Sequence, residues 1–257
     1  MIELRKVSKT YNAGTVTEMC LFDGFDLTVA DGEFVSVVGS NGSGKTSLLN
    51  IICGSMPFDS GTLLLDGKDI AGLKEFERYR RIGRVYQNPA AGTCPHLTIL
   101  ENMSLADNKG KRFGLSRGVN RARRDFYREQ LGVVGLGLED KLDVEVGALS
   151  GGQRQAVALI MATLTPVDIL ILDEHTAALD PHTADIIMEI TDRVVREKHL
   201  TALMVTHNLR YAVEYGNRLL MLDRGRIVLD KAGAAKESVV TDDLLDIFNR
   251  ISIECGN

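Results

Sequence analysis

Three short stretches of this chain have the residue types and spacing to handle a triphosphate. The first is GSNGSGKT, Gly39 to Thr46, which fits the pattern G-x-x-x-x-G-K-[ST]. In such a loop Gly39, Ser40, Asn41, Gly42, Ser43 and Gly44 would turn backbone N–H groups toward phosphate oxygens, and the following helix start would add a favourable dipole. Lys45 would neutralise the β- and γ-phosphates, the Thr46 hydroxyl would ligate Mg²⁺, and Ser47 would donate to the α-phosphate. The second is ILILDE, an apolar run that ends in two adjacent carboxylates, Asp173 and Glu174. Asp173 can hold Mg²⁺ directly or through water. Glu174 can polarise an attacking water as general base. The third is ALSGGQRQ, Ala148 to Gln155, where a serine and two glycines stand in front of an apolar-periodic helix. That is a second helix start suited to an anion. Two of them need two phosphates, or one phosphate shared in an unexpected way.

The elements that must position these stretches follow from periodicity and turn residues. Ile2 to Val7 alternates as a strand, and so does Cys20 to Val29. After the turn residues ADG, the run EFVSVVG is short, apolar and β-branched, as a buried strand should be. KTSLLNIIC has helical spacing and Gly54 as its stop. GTLLLDGKDI reads as strand and Asp-Gly turn, and RIGRVYQNP as a strand ending in a loop. From Asn88 to Pro166 the character changes: long buried strands disappear, and glycines and charges multiply. The basic stretch ADNKGKRFGLSRGVNRARRDFYREQLGVVGL reads as helical with irregular joints. Strand and helix patterns then alternate again through VDILILDE, ADIIMEITDRVVREKH, TALMVTH, LRYAVEYG and RLLMLDRGRIV. The expected fold is α/β: a P-loop NTPase core with a mainly parallel sheet, an N-terminal antiparallel β part and an inserted helical subdomain. The expected division is 1–87 with 167–232 as ATP-binding core, 88–166 as helical subdomain, and 233–257 as a C-terminal helical tail. In that tail Leu244, Phe248 and Ile251 share one helical face and should dock on the core.

Composition narrows the function classes. A net charge of −5 does not suggest a nucleic-acid binder, so the basic stretch between Lys109 and Arg128 is expected to be a solvated helical surface. Cys20, Cys53, Cys94 and Cys255 are not spaced as a zinc knuckle or a redox pair, and read as reduced thiols of a cytosolic protein. The start MIELRKVSKTY lacks the apolar run of a signal peptide. ALIMATLTPVDILILDE is interrupted by Pro166 and Asp168 and falls short of a membrane span of about 20 apolar residues.

LSGGQ at Leu149 to Gln153, downstream of GSNGSGKT and upstream of ILILDE, resembles the signature of the ATP-binding cassette (ABC) family in order and spacing. The resemblance covers nearly the whole chain. It implies ATP and Mg²⁺ as ligands, and a homodimer on ATP binding in which two cassettes pack head to tail. Ser150, Gly151, Gly152 and Gln153 of one chain would then face the γ-phosphate held by the Lys45 loop of the other. The third stretch is thus a lid for a neighbour's nucleotide. The resemblance further implies that Tyr11 stacks on adenine, and that Gln87, in the glutamine loop, reaches Mg²⁺ or the attacking water. It makes AALD at Ala177 to Asp180 a segment crossing the dimer interface, and His207 the switch histidine that contacts the γ-phosphate. One residue departs from the pattern: His175 stands where the family usually has proline after the catalytic glutamate.

Such subunits hydrolyse ATP to ADP and phosphate. A cassette without membrane spans resembles bacterial transporter ATPases that bind separate permease proteins at the cytoplasmic face of the cell membrane. A groove near Gln87 and the helical subdomain would receive a coupling helix of the permease. Import is expected, of amino-acid type, with a solute-binding protein as a further partner and no nucleic acid. The alternative is a non-transport cassette acting on a membrane partner, such as the cell-division type. A P-loop kinase or GTPase would not explain LSGGQ, and the chain has no N-K-x-D-like guanine reader.

Overall fold

The computed structural model describes residues 1–111, 114 and 118–254, so part of the basic stretch expected to be helical (112, 113 and 115–117) and Cys255 lie outside the described residues. Internal packing divides the chain into two compact units, 1–78 with 199–257, and 79–198.

The first unit opens with β1 (Ile2–Tyr11) and β2 (Met19–Val29), then β3 (Phe34–Gly39), α1 (Lys45–Cys53), β4 (Ser60–Leu65), β5 (Lys68–Asp69) and the short α2 (Glu75–Arg78). An antiparallel sheet runs in the order β2-β1-β4-β5, which is the expected N-terminal β part. β1 is longer than its alternation suggested, because irregularities in its register with β2 between Leu4 and Thr10 let pairing continue to Tyr11↔Met19. The end of α1 shows how a local signal and a distant residue combine. Gly54 closes the helix at φ 88, the left-handed conformation glycine adopts without a Cβ penalty. The buried guanidinium of Arg78 then donates to the otherwise open carbonyls of Ile51 at 2.7 Å and Ile52 at 3.1 Å.

The second unit contains β6 (Ile82–Val85), α3 (Ile99–Asp107), α4 (Arg124–Gly132), α5 (Gly151–Ala162), β7 (Ile169–Asp173) and α6 (Pro181–Glu197). β6 and β7 pair in parallel. α3 and α6 carry side-chain caps at their starts. Thr98 and Glu101 form a reciprocal capping box on α3, and Asp180 with Pro181 begins α6. α5 lies so close to α6 that a Cβ on Gly152 would stand 2.3 Å from the Thr183 methyl.

The chain then returns to the first unit with β8 (Thr201–Val205), α7 (Leu209–Glu214), β9 (Arg218–Asp223), β10 (Arg226–Ala232), α8 (Ala234–Glu237) and α9 (Thr241–Glu254). β3 is flanked by β8 and β9, both parallel to it, and β10 closes antiparallel on β9. β3 and β8 are buried along their whole length, as strands covered on both faces must be. The tail docks as expected: fully buried Leu244 joins Val38, Ala212, Leu219, Met221 and Val239, with Phe248 and Ile251 packed against them. Among the described residues no helix is long and apolar enough to cross a membrane. Truncating Leu244 to alanine should cost about 2–4 kcal/mol of unfolding free energy, the range for a buried leucine, measured by urea denaturation. A loss below 0.5 kcal/mol, the order expected of a surface change, would show that the tail is not part of the core.

Candidate active site

The phosphate loop lies in the first unit, between the end of β3 and α1. Its backbone is drawn in so tightly that side chains are excluded at two points. A Cβ on Gly39 would lie 2.2 Å from the Leu222 carbonyl oxygen, and one on Gly44, at φ 103, would lie 2.9 Å from the Phe22 ring. Gly44 is the N-cap of α1 and brings no side-chain cap. The first amides of α1 are therefore left for an anion to receive. Lys45 is buried, and its ammonium donates to the carbonyls of Gly39 at 2.7 Å and Ser40 at 3.0 Å. Thr46 is exposed in the first turn of α1. Ser43 is buried and its carbonyl accepts from the Gly225 amide, which ties the loop to the β9–β10 turn.

Tyr11 is the last residue of β1, and its hydroxyl sits 3.0 Å from Ser47 Oγ. Structure thus joins the expected adenine platform to the first turn of α1. His207 is exposed two residues beyond β8, the strand beside β3. Asn41 and Gly42 are exposed at the loop tip.

The remaining candidates lie in the second unit. Asp173 ends β7 and pairs with Arg84 of β6 at 2.7 Å, both side chains largely buried. Arg84 in turn stacks over the Tyr86 ring, 4.7 Å from its centre. Gln87 is exposed at the start of the loop that follows. Tyr86, the residue before it, accepts a hydrogen bond on its carbonyl from the Gln155 amide at 3.0 Å. The signature helix α5 is thereby tied to the glutamine loop. Its start is a capping box: Ser150 Oγ accepts from the Gln153 amide at 3.3 Å, and Gln153 Oε1 accepts from the Ser150 amide at 3.4 Å. Accepting that bond uses a lone pair of Ser150 and leaves its exposed hydroxyl proton to donate outward. Gly151 is exposed beside it.

Glu174 holds φ 47, a left-handed conformation that costs a non-glycine residue about 1–3 kcal/mol. Such strain persists where the surroundings enforce it, and two bonds do so here. The Glu174 carbonyl accepts from the Ala177 amide at 2.9 Å. His175, the residue in place of proline, is buried and lies 3.1 Å from Thr191 Oγ1 of α6. Thr191 spends its hydroxyl proton on the Ile187 carbonyl at 2.7 Å, so His175 must be the donor, through Nε2–H. Burial lowers the imidazole pKa to about 4. Histidine therefore answers the loss of proline with a side-chain tie to α6. Arg84, Gln155 and the His175–Thr191 pair were not legible as site supports in the sequence. Only Arg84 carried a signal, a charged residue inside the otherwise apolar strand β6.

The residues present fit a magnesium nucleotide. Among the described residues no cluster of three or more carboxylate, histidine or thiol groups could hold a metal. Mg²⁺ bound through substrate phosphates needs only one or two protein ligands, and the exposed Thr46 hydroxyl of the first unit is a group of that kind.

The second unit also holds an open groove of about 510 Å³, between β6, the segment 91–94 and the helices α3 and α5. Its surface is mainly apolar.

A glycine phosphate loop feeding a helix from the centre of a parallel sheet, with a serine-capped LSGGQ helix on the same chain, defines an ATP-binding cassette. Comparisons agree. A family model described as ABC transporter matches residues 22–177. A tyrosine transport ATP-binding protein of Clostridioides difficile (strain R20291) is 44% identical over 248 residues, covering 96% of this chain and 98% of that relative. A spermidine/putrescine import ATP-binding protein of Haemophilus influenzae is 32% identical over 250 residues, and this chain spans 61% of that relative's length. A dimeric ATP-binding cassette solved in a post-hydrolysis state with ADP and phosphate superimposes with TM-score 0.75 at 31% identity, over 90% of this chain and 98% of that one. The chain belongs to the ABC transporter family and is an ATP-hydrolysing subunit of such a transporter.

The buried imidazole makes stability depend on pH. His175 stays neutral in the fold down to about pH 4, whereas the unfolded chain takes up its proton near 6.5. Its contribution is complete above pH 6.5 and falls as the pH drops toward 4, by up to about 3 kcal/mol. The stability gap between wild type and His175→Gln, measured by urea unfolding, should narrow from pH 7 to pH 4.5. A gap that does not change with pH would show that this ring is not held neutral.

Proposed function

We propose that this chain is the ATPase of an importer for an amino-acid solute, working as a head-to-tail homodimer on separate permease subunits at the cytoplasmic face of the membrane. The observation that carries the import reading is the end-to-end match, at 44% identity, to a tyrosine transport ATP-binding protein. The dimer reading is supported by the exposed, outward-donating Ser150 at the start of α5. It is supported too by the dimeric state of the cassette that superimposes on this chain. A solute-binding protein would deliver the solute, and the groove beside Gln87 would take a coupling helix of the permease.

In this reading Tyr11 stacks on the adenine, a contact of about 1–3 kcal/mol. The amides of residues 39–45 and the Lys45 ammonium take the phosphates, exchanging the Gly39 and Ser40 carbonyls for phosphate oxygens. Thr46, Asp173 and the Gln87 amide hold Mg²⁺, which neutralises charge on the phosphates when bound. Glu174, set by its enforced backbone, accepts a proton from water and aims it in line at the γ-phosphorus. His207 fixes the γ-phosphate. Ser150 with the Gly151 and Gly152 amides of the second copy donates to it from the far side. Binding closes the dimer and hydrolysis reopens it.

Glu174→Gln should bind ATP, lose turnover by about 10²-fold or more, and elute as a dimer on size exclusion in ATP. Parental turnover in that variant would remove Glu174 as the base. Lys45→Ala should lose nucleotide affinity, read by fluorescent-ATP titration. In cells lacking the gene, uptake of labelled tyrosine should fall and return with wild type but not with Glu174→Gln. Unchanged uptake of every amino acid tested would sink the import reading while leaving the ATPase intact.

A further inference from the structure

The groove of the second unit has an unusual charge pattern. Its floor is Ile82, Ala158, Met161 and Ala162, and at its rim Leu105 remains half exposed. Two cations line it and no carboxylate does. One of them, Arg84, has its carboxylate in Asp173. Neighbouring cations of this unit are also paired: Arg81 with Asp168, Arg123 with Asp107, Arg124 with Asp143. Lys109, just beyond α3, is different. Its ammonium donates to the Ile82 carbonyl at 3.0 Å, and no carboxylate pairs with it among the described residues. Burial alone acts on it, and lowers its pKa to about 8. An ammonium held among apolar side chains with one carbonyl partner carries a desolvation cost that a carboxylate in contact would offset.

The groove is open and mainly apolar in its lining, and Lys109 is its cation without a carboxylate among the described residues. Its volume suits the side chains of a turn or two of helix rather than a whole domain. We infer that Lys109 pairs with a carboxylate on the permease helix that seats in this groove, so that an acidic residue on that helix selects and orients the partner. This rests on the reading of the groove as the permease site. The apolar floor supplies area, and the Lys109–carboxylate pair supplies register, because the groove has no other cation without a carboxylate among the described residues.

Two cross-links in the complex purified from its own membranes separate the claims. A carbodiimide joins an amine only to a carboxylate in contact with it. Mass spectrometry should find an amide between Lys109 and an Asp or Glu of an integral membrane protein. Cys94, an exposed thiol on the groove wall, takes a benzophenone-maleimide that reports any occupant. Both links to the same membrane protein support the pair. A Cys94 link without a Lys109 link overturns the pair and leaves the groove reading standing. Absence of both overturns both, and a Lys109 link to another copy of this chain or to a soluble protein also overturns the pair. With the partner residue known, Lys109→Glu should cut the co-purified permease by about 10-fold or more, Lys109→Arg should keep it, and lysine at the cross-linked acid should restore it in the Lys109→Glu background. Full retention of permease by Lys109→Glu would overturn the inference.

Discussion

A triphosphate can be gripped only where several donors converge without side chains in the way, and the turn from β3 into α1 is built around that requirement. The chain reverses so closely there that a Cβ at 39 would run into the β9 backbone and one at 44 into Phe22. Everything around it serves to hold that turn. β3 lies between two parallel strands, so its C-terminal end opens where ligands of α/β sheets bind. Gly225 fixes the loop from the β9–β10 turn, and Arg78 closes the far end of α1. Buried Lys45 donates to two loop carbonyls, partners that phosphate oxygens can replace.

The second unit solves another problem, that of presenting carboxylates and amides at the ends of buried elements. Asp173 is steadied by Arg84, Arg84 by the face of Tyr86, and the Tyr86 carbonyl by Gln155 of the signature helix. One connected set of polar contacts thus runs from the Mg²⁺ candidate to the glutamine loop and on to α5. Glu174 stands beside it in a conformation its own side chain disfavours, enforced by the Ala177 amide and by the anchor from His175 to α6. A carboxylate held this way is pre-positioned, and the strain is met by packing elsewhere. A proline would stiffen this turn through its ring; histidine does so through a buried donor.

Much of the fold was legible because the signals are local. Valines at 35, 37 and 38 mark a buried strand, Gly54 a helix stop, and Ser150 with Gln153 a helix start, all from residues within a few positions of one another. Alternation marks only Ile2–Val7 of β1, because nothing in the sequence around residues 8–11 shows that register irregularities let pairing with β2 run on.

The sequence by itself determined the phosphate loop, the adjacent carboxylates, the second anion-binding helix start and the α/β order, since each depends on neighbours in the chain. Only the tertiary structure decided which polar side chains support them: Arg84 with Asp173, 89 positions away, His175 with Thr191, Gln155 with Tyr86, and Lys109 with no carboxylate at all among the described residues. A buried charge or donor is answered by whatever the fold brings within 3 Å, and that choice is made by packing across the chain rather than along it.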